Sequence, residues 1–347
     1  MTNGCKKALY AAVLCGALLL PFLASEAAAA SLRERLRERI QQKADDGEGM
    51  FSEEGGGTCA EHYAKIDRRI SSMGDKAFGP PPDIKNAAYG THERQRLDVY
   101  LPKNRLAGNA PAPVILMVHG GGWCVGDKAL KSTVENKVKR WTEKGFVFVS
   151  TNYPMMTHGR NALAQAYEIA AAAAYVQKHA AEWGGDGAKL ILMGHSAGAH
   201  LVSLVGAAGD IQASAGMQKI LGVVSIDAGA TDLEMQMPKV VPFLKTRYAE
   251  AFGTDPAKWP AASPLHRLEK TSAPWLGICS TTRPDKPCEQ SDAYVKKSLA
   301  LGIPAQTLAL PKGHGKLNSE LGKNGSYTDV VEKFMSSLDA EVAARLK

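Results

Sequence analysis

The stretch KLILMGHSAGAHL, residues 189–201, joins a short apolar run to an alanine- and leucine-rich segment through a turn of small residues. The apolar run predicts a buried strand, and the segment after the turn predicts a helix. Gly194 and Gly198 lie two residues on either side of Ser196, a spacing typical of a very tight turn that only small residues allow. Because such a turn pushes the serine hydroxyl out in front of helix amides, we predict that Ser196 is a nucleophile.

Strand and helix signals alternate on both sides of this turn. Strands are predicted at 96–101, 114–119, 146–153, 189–195, 222–227, 275–280 and 305–310. Helices are predicted at 132–144, 161–182, 197–208, 238–252, 289–301 and 326–345. Short, fully apolar strands separated by helices indicate a sheet that is buried on both sides. The predicted class is a doubly wound α/β fold, with a mostly parallel sheet, helices on both faces and a small helical N-terminal extension.

The first thirty residues have the pattern of a secretory signal peptide. Lys6 and Lys7 precede an apolar run, and three alanines at 28–30 satisfy the small-residue rule for cleavage. We predict cleavage near Ala30 and a periplasmic or secreted protein, with no stable membrane insertion after the signal is removed. An uncleaved membrane anchor is the alternative, although the apolar run is short for a span.

Residues 31–85 are predicted to be a helical extension and a flexible linker, ahead of one α/β domain at 86–347. The segment SLRERLRERIQQK at 31–43 alternates charges around a narrow apolar stripe, which is typical of a helix. A solvated tether and a helix that binds a membrane surface or a partner are both compatible with it. The glycine- and acid-rich residues that follow indicate the linker.

The charge pattern and the residue spacings exclude several classes of protein. The formal net charge of +7 is small for 347 residues, and basic and acidic residues are interspersed, so we predict no nucleic-acid partner. Neither a CxxC nor an HxxxH spacing occurs. The sequence therefore predicts neither a metal site nor a cofactor.

Four cysteines remain after removal of the predicted signal, which is an even number in an oxidising compartment. Cys279 and Cys288 flank the proline-containing loop CSTTRPDKPC. Our hypothesis is a disulfide clip across this loop. Cys124 is interpreted as either packed or paired.

The stretch HGGGWCVGDK, residues 119–128, follows a predicted strand and has three successive glycines. Glycines let backbone amides approach a carbonyl oxygen with no side chain in the way. We predict that the amides of Gly121 and Gly122, with the amide of Ala197 after the nucleophile, form an oxyanion hole. His119 is interpreted as holding this loop by hydrogen bonding, and Trp123 as shaping the pocket floor.

Three motifs, HGGGWCVGDK, GHSAGAHL and GHGKLNSELG, occur in this order along the chain. Together they resemble the α/β-hydrolase fold, in the esterase branch of hormone-sensitive-lipase-like carboxylesterases, feruloyl and acetyl-xylan esterases and kynurenine formamidase. The resemblance covers about residues 88 to 340. It implies hydrolysis of carboxylic esters by a Ser-His-Asp triad through an acyl-enzyme.

The base and the acid are assigned by chain order, which in this fold is serine, acid, histidine. His314 follows the last predicted strand and lies between two glycines, so it is the predicted base. The acid is expected in the loop after 275–280, where Asp285 is the first choice. Glu289 and Asp292 also lie there, at the predicted start of a helix. Two aspartates after the preceding strand are further candidates, namely Asp227 and Asp232.

Three functions remain open at this point. The first is hydrolysis of a small-molecule or carbohydrate-linked ester. The second is an amide-directed hydrolase, a formamidase or a peptidase, which would use the same triad. The third is a non-catalytic binding member of the fold.

Overall fold

The computed structural model describes residues 57–103 and 110–347. The predicted signal peptide at 1–30 and the predicted charged helix at 31–43 lie outside the described residues, as does most of the predicted linker. Among the residues that are described, no helix is both long and apolar enough to cross a membrane.

Eight strands form a single sheet in the described residues. They are β1 Ile84–Ala88, β2 Arg96–Tyr100, β3 Ala112–Val118, β4 Val147–Thr151, β5 Gly185–His195, β6 Gly222–Ile226, β7 Trp275–Ser280 and β8 Ala305–Leu310. Their order across the sheet is β1-β2-β4-β3-β5-β6-β7-β8. β2 pairs antiparallel with β1 and β4, and all other neighbours are parallel. The predicted fold class is confirmed, and β1 is an edge strand that the sequence patterns did not indicate.

Helices fill the connections between the strands. The α-helices are α1 Cys59–Met73, α2 Lys131–Glu143, α3 Ala162–His179, α4 Ala197–Ala207, α5 Gly209–Ser214, α6 Leu233–Gln236, α7 Lys245–Phe252, α8 Trp259–Ala262, α9 Pro287–Ala300, α10 His314–Glu320, α11 Ser326–Ser336 and α12 Ala340–Leu346. Short 3-10 turns lie at Gly74–Ala77, Met156–His158, Ala180–Trp183, Met237–Lys239, Pro242–Leu244 and Pro256–Lys258.

Two predicted helices are wrong in extent. The one predicted over 238–252 is α-helical only in α7, because Pro238 and Pro242 lack the amide that a continuous helix needs. The one predicted over 326–345 is divided into α11 and α12. Asp339 separates them, since its side chain accepts from the amides of Glu341 and Val342 and so caps α12.

The core has two layers because successive side chains of a strand point to opposite faces. On one face, Leu116 of β3 and its neighbours pack against α3 and α4, and every residue of α4 is buried. On the other face, Met117 packs in a cluster with residues of α2, α10 and α11. The parallel register aligns His195 with Ile226 and Ile226 with Ile278. The residues that follow β5, β6 and β7 therefore lie close together at the carboxyl ends of these strands.

Candidate active site

Ser196 occupies the one-residue turn between β5 and α4. Its backbone has φ 56° and ψ −118°, a conformation that non-glycine residues rarely adopt. Strain of this kind costs of order 1–3 kcal/mol and persists where the surroundings enforce it. Here the Ser196 amide donates to the carbonyl of Ile226 at 2.9 Å, which ties the turn to the end of β6.

The glycines on either side of Ser196 are required by close backbone approach. A Cβ on Gly194 would lie 2.4 Å from the carbonyl oxygen of Gly198. A Cβ on Gly198 would lie 2.2 Å from the carbonyl oxygen of Val118, at the end of β3. These contacts are far inside van der Waals distance, so the spacing of the motif reflects how tightly the turn packs on the neighbouring strand.

The glycine loop, residues 119–126, lies directly against this turn. A Cβ on Gly120 would lie 2.8 Å from the carbonyl oxygen of His195 and 2.9 Å from the Cβ of Ser196. Gly121 and Gly122 have φ values of 120° and 58°. Within residues 57–103 and 110–347, no hydrogen bond uses the amide of either glycine as donor. The amide of Ala197 is the first of α4 and has no acceptor inside the helix.

Buried polar groups hold the glycine loop in shape. His119 Nδ1 donates to the carbonyl of Gly120 at 2.8 Å, and its ring stacks on Tyr153 at 4.6 Å between centroids. Arg94 donates to the carbonyl of Gly126 at 2.8 Å. Burial, with the charge of Arg94, lowers the pKa of His119 to about 4, so this ring is neutral at neutral pH. This geometry agrees with the interpretation of His119 as the residue that holds the loop.

Trp123 of the glycine loop lies at the centre of a buried aromatic cluster. Its ring meets those of His200, Tyr248 and Phe252 edge to face, with centroids 4.7 to 5.6 Å apart. Its Nε1 donates to His200 Nδ1 at 3.2 Å, and His200 Nε2 donates to the carbonyl of Ala262 at 2.8 Å. The cluster therefore anchors the glycine loop through Trp123.

A disulfide joins Cys124 of the glycine loop to Cys59, the first residue of α1. Ile66 of α1 packs with Val125 next to this bond. Thr58 begins the helix with a capping box, in which its side chain and that of Glu61 each bond to the other's backbone amide. The glycine loop is therefore covered by α1 and tied to it covalently through two cysteines that are 65 residues apart in the chain.

His62, His119 and His200 are three buried histidines around the site. The pKa of each is lowered to about 4, and burial is the largest cause in every case. The nearby charges of Arg247 and Lys65 contribute at His62. All three are therefore neutral at neutral pH.

His314 begins α10, directly after the loop that follows β8. Its Nδ1 lies 2.5 Å from Oδ2 of Asp227. Its ring lies against that of His195, with the centroids 4.5 Å apart, and His195 Nε2 donates to the carbonyl of His314 at 3.1 Å. The structure thus brings the predicted base against the residue that precedes Ser196.

The carboxylate beside His314 belongs to Asp227, not to the predicted Asp285. Asp227 follows β6 directly, is fully buried and has a φ of 56°. Its Oδ1 accepts from the amide of Ser280 at 2.8 Å, and Arg283 Nη1 donates to its Oδ2 at 3.0 Å. Burial alone would raise the pKa of Asp227, but the charge of Arg283 and the hydrogen bonds with His314 and Ser280 hold it below its usual value.

Asp285 instead forms a two-point ion pair with Arg283. Its Oδ1 accepts from Arg283 Nε at 3.0 Å and its Oδ2 from Nη2 at 2.5 Å. Gln236 also donates to Asp285 Oδ2, at 3.2 Å. The prediction that Asp285 lies next to His314 is therefore wrong, because Arg283 lies between Asp285 and the Asp227–His314 pair.

The other candidate acids also lie away from His314. Glu289 accepts from Lys239 on the surface at 2.5 Å, and Asp292 is exposed on α9. Asp232 caps α6 by accepting from the amides of Glu234 and Met235. The sequence did indicate Asp227, because this aspartate directly follows the last residue of β6, just as Ser196 directly follows the last residue of β5.

Cys279 and Cys288 form a disulfide across the loop that carries Arg283 and Asp285. Elsewhere in the described part of the chain, Asp232, Glu234 and His266 bring one potential metal ligand each within 4.8 Å of one another. The absence of a metal and of a cofactor stays a prediction.

A strained serine between β5 and a buried helix, on a sheet with this strand order, defines an α/β hydrolase. A comparison with protein families narrows this class. The chain belongs to the BD-FAE family, whose model matches residues 97–298. The resemblance to the α/β-hydrolase fold that the motifs indicated is thereby confirmed.

Several curated proteins are similar in sequence. Esterase LipC of Mycobacterium tuberculosis is 28% identical over 267 residues, which cover 73% of this chain and 65% of LipC. Esterase LipQ of the same organism is 29% identical over 242 residues, covering 65% of this chain and 55% of LipQ. A probable isoprenylcysteine alpha-carbonyl methylesterase of Arabidopsis thaliana, ICMEL1, is 34% identical over 126 residues, covering 36% of this chain and 25% of that protein. The chain therefore spans less than two thirds of the length of these relatives.

Solved structures share the fold at lower identity. Esterase B from Lactobacillus rhamnosis superposes with a TM-score of 0.64 at 19% identity, covering 87% of this chain and 98% of the esterase. A truncated carbohydrate esterase from gut microbiota gives a TM-score of 0.62 at 20% identity, covering 78% and 99% of the two chains. At this identity the likeness shows the fold alone.

Proposed function

We propose that this protein hydrolyses carboxylic esters, with Ser196 as nucleophile, His314 as general base and Asp227 as the acid that orients the base. The contact of 2.5 Å between His314 Nδ1 and Asp227 Oδ2 carries the proposal. A carboxylate can only accept from Nδ1–H, which leaves Nε2 of the imidazole free of hydrogen and able to take a proton from a hydroxyl. The esterase names of the relatives support the reaction class.

The proposed reaction has two half-reactions. His314 Nε2 takes the hydroxyl proton of Ser196 as the serine oxygen bonds to the ester carbonyl carbon. The tetrahedral intermediate then collapses, the bond to the alcohol oxygen breaks, and the imidazolium returns the proton to the departing alcohol. Water, deprotonated by the same imidazole, attacks the acyl-enzyme and releases the carboxylic acid and the serine.

The oxyanion of each tetrahedral intermediate would be held by the amides of Gly121, Gly122 and Ala197. Two features support this assignment: the contact of Gly120 with the Ser196 turn and the lack of other acceptors for the two glycine amides in the described residues. One donor of this kind contributes roughly a hundred- to a thousandfold in rate.

The proposed substrate is a small-molecule or carbohydrate-linked ester. A structural neighbour is named a carbohydrate esterase, two relatives are named esterases and one a probable methylesterase, so an acyl-chain and alcohol screen should include acetylated sugars and short-chain esters. The amide-directed alternative uses the same residues. Matched ester and amide substrates that share one acyl group distinguish the two reactions.

The test of the proposed function is Ser196→Ala, assayed on a chromogenic short-chain ester. Removing a nucleophile of this type costs about a millionfold in kcat, so turnover should fall to background while the thermal unfolding curve is retained. Ser337→Ala, at the end of α11 where the hydroxyl donates to the Phe334 carbonyl, is the matched control. Intact-mass labelling with a fluorophosphonate should modify the parent and the control but not Ser196→Ala.

Retained ester turnover in Ser196→Ala would overturn the nucleophile. A parent protein that neither turns over esters nor reacts with the fluorophosphonate would instead support the non-catalytic function.

We also propose that the protein is exported after cleavage near Ala30. The two disulfides support an oxidising compartment. Cell fractionation with N-terminal sequencing tests this, and a cytoplasmic protein that retains residues 1–30 contradicts it.

A further inference from the structure

Arg283 makes the most extensive contacts with the Asp227–His314 pair. Its Nη1 donates to Oδ2 of Asp227 at 3.0 Å and to the carbonyl oxygen of the same residue at 3.0 Å. The same nitrogen lies 3.2 Å from Nδ1 of His314. Because Nδ1–H of His314 already donates to Asp227, this last approach is a contact of two donors and leaves a full positive charge beside the imidazole.

The guanidinium is fixed from its other side by Asp285, through the two-point ion pair described above. A carboxylate that accepts from both Nε and Nη2 holds the planar group in one orientation. Gly229 leaves room for this pair, since a Cβ there would lie 2.7 Å from Arg283 Nη2. The Cys279–Cys288 disulfide closes the loop that carries both charged residues.

The four side chains carry a definite charge balance. With neutral His314, the negative charges of Asp227 and Asp285 exceed the single positive charge of Arg283 by one. Arg283 alone would neutralise Asp227 and repel the imidazolium that forms during catalysis. Because Asp285 offsets Arg283, one net negative charge remains available to that imidazolium.

We propose that Arg283 and Asp285 act together as positioning residues, in which Arg283 aims the carboxylate of Asp227 at His314 and Asp285 cancels the repulsion between Arg283 and the protonated base. This inference rests on the proposed function of Ser196 and His314. It gives the predicted acid Asp285 an indirect role, in which Asp285 acts on His314 through Arg283.

Other ionisable groups surround His314 and stay unchanged when Arg283 or Asp285 is replaced. His195 from β5 contacts the ring, and burial together with His314 holds its pKa well below the usual value. Lys137 from α2 donates to the carbonyl of Asn318 in α10, and Tyr327 from α11 donates to that of Leu317. Differences among the variants therefore report on the Arg283–Asp285 pair.

The experiment measures kcat/KM against pH for Arg283→Met, Asp285→Asn and the double variant. Without the cation, imidazole is protonated more easily, so the acidic limb of the Arg283→Met profile should move up by at least about one pH unit, the effect of a unit charge 3.2 Å away even in the dielectric of water. Asp285→Asn leaves the cation uncompensated, so its acidic limb should move to lower pH. The double variant should return close to the parent.

The rates should change with the profiles. Loss of a charge-assisted hydrogen bond lowers kcat of Arg283→Met by about 10- to 100-fold, with KM little changed. Arg283→Lys keeps the charge but loses the planar fork, so it should keep the acidic limb of the parent and lose less rate. Arg267→Met, which breaks a surface pair with Asp210, is the control.

Two outcomes separate this inference from the proposed function. Single variants that leave the acidic limb unmoved, or that move it in the same direction, overturn the paired role even where Ser196→Ala is inactive. Turnover that survives Ser196→Ala overturns the proposed function itself. Thermal unfolding of each variant shows whether a lost rate reflects a lost fold.

Discussion

Asp227→Asn changes the candidate triad by a single group. The carboxylate of Asp227 accepts from the amide of Ser280 through Oδ1 and faces His314 Nδ1 and Arg283 Nη1 through Oδ2. An asparagine whose oxygen still accepts from the Ser280 amide has only its NH₂ group to turn toward His314 Nδ1 and Arg283 Nη1. Neither can then donate to it, because an NH₂ group is itself a donor. His314 then has to carry its hydrogen on Nε2, where it can no longer take the proton of Ser196.

The expected loss is about 10⁴-fold in kcat, the effect of the same change at the acid of a serine-protease triad. This loss corresponds to about 5 kcal/mol of transition-state stabilisation. The assay is steady-state hydrolysis of a chromogenic short-chain ester, normalised to active sites, with circular dichroism to check the fold. Asp285→Asn is the matched control and should lose only about tenfold, because the asparagine oxygen still accepts one of the two contacts from Arg283. An Asp227→Asn enzyme with more than about a tenth of the parental rate, or an Asp285→Asn enzyme that is equally impaired, would refute the assignment.

Three further predictions concern the scaffold around the site. Gly120→Ala puts a methyl group against the serine turn and should lower kcat at least about 100-fold, whereas Gly159→Ala, with nothing within 4 Å, should keep full kcat in the same assay. Replacing Cys59 and Cys124 by serine opens a 65-residue loop and should lower the free energy of unfolding by about 4 kcal/mol. Urea denaturation measures this loss, and an unchanged urea midpoint would contradict it. The three buried histidines bind fewer protons in the folded than in the unfolded state between pH 6.5 and about 4, so stability should fall as the pH drops through that window. His200→Gln should remove up to about 3 kcal/mol of this loss, measured as urea midpoints at several pH values, and a slope identical to the parent's would argue against the lowered pKa.

The sequence alone was sufficient for the features that depend on neighbours in the chain. The apolar strands predicted a mostly parallel sheet, because a strand buried on both faces has to be apolar at every position. Ser196 was identified by the two glycines beside it. In the structure, a Cβ added to either glycine would lie only 2.2 or 2.4 Å from a backbone carbonyl oxygen. His314 was identified by chain order, which follows from the fold.

The tertiary structure decided which carboxylate meets His314. Five candidate acids follow β6 and β7, and their spacing does not say which of them turns inward. Arg283 binds Asp285 in the loop where the acid was expected, while the end of β6 carries Asp227 to His314. This choice depends on contacts between segments 31 to 87 residues apart, namely Arg283 with His314 and Asp227 with His314.

The Cys59–Cys124 bond and the divided helix at 238–252 show the same division between local and long-range information. The prolines that divide the helix were visible in the sequence, and their local effect is steric. The disulfide partner of Cys124 was not visible in the sequence, because pairing requires two cysteine side chains to meet in space. The packing of α1 on the glycine loop brings Cys59 to Cys124. The sequence by itself therefore determined the fold, the serine turn and the residue proposed as base. The residue proposed as acid and the tie across the glycine loop were decided by the tertiary structure, because they depend on long-range packing rather than on local spacing.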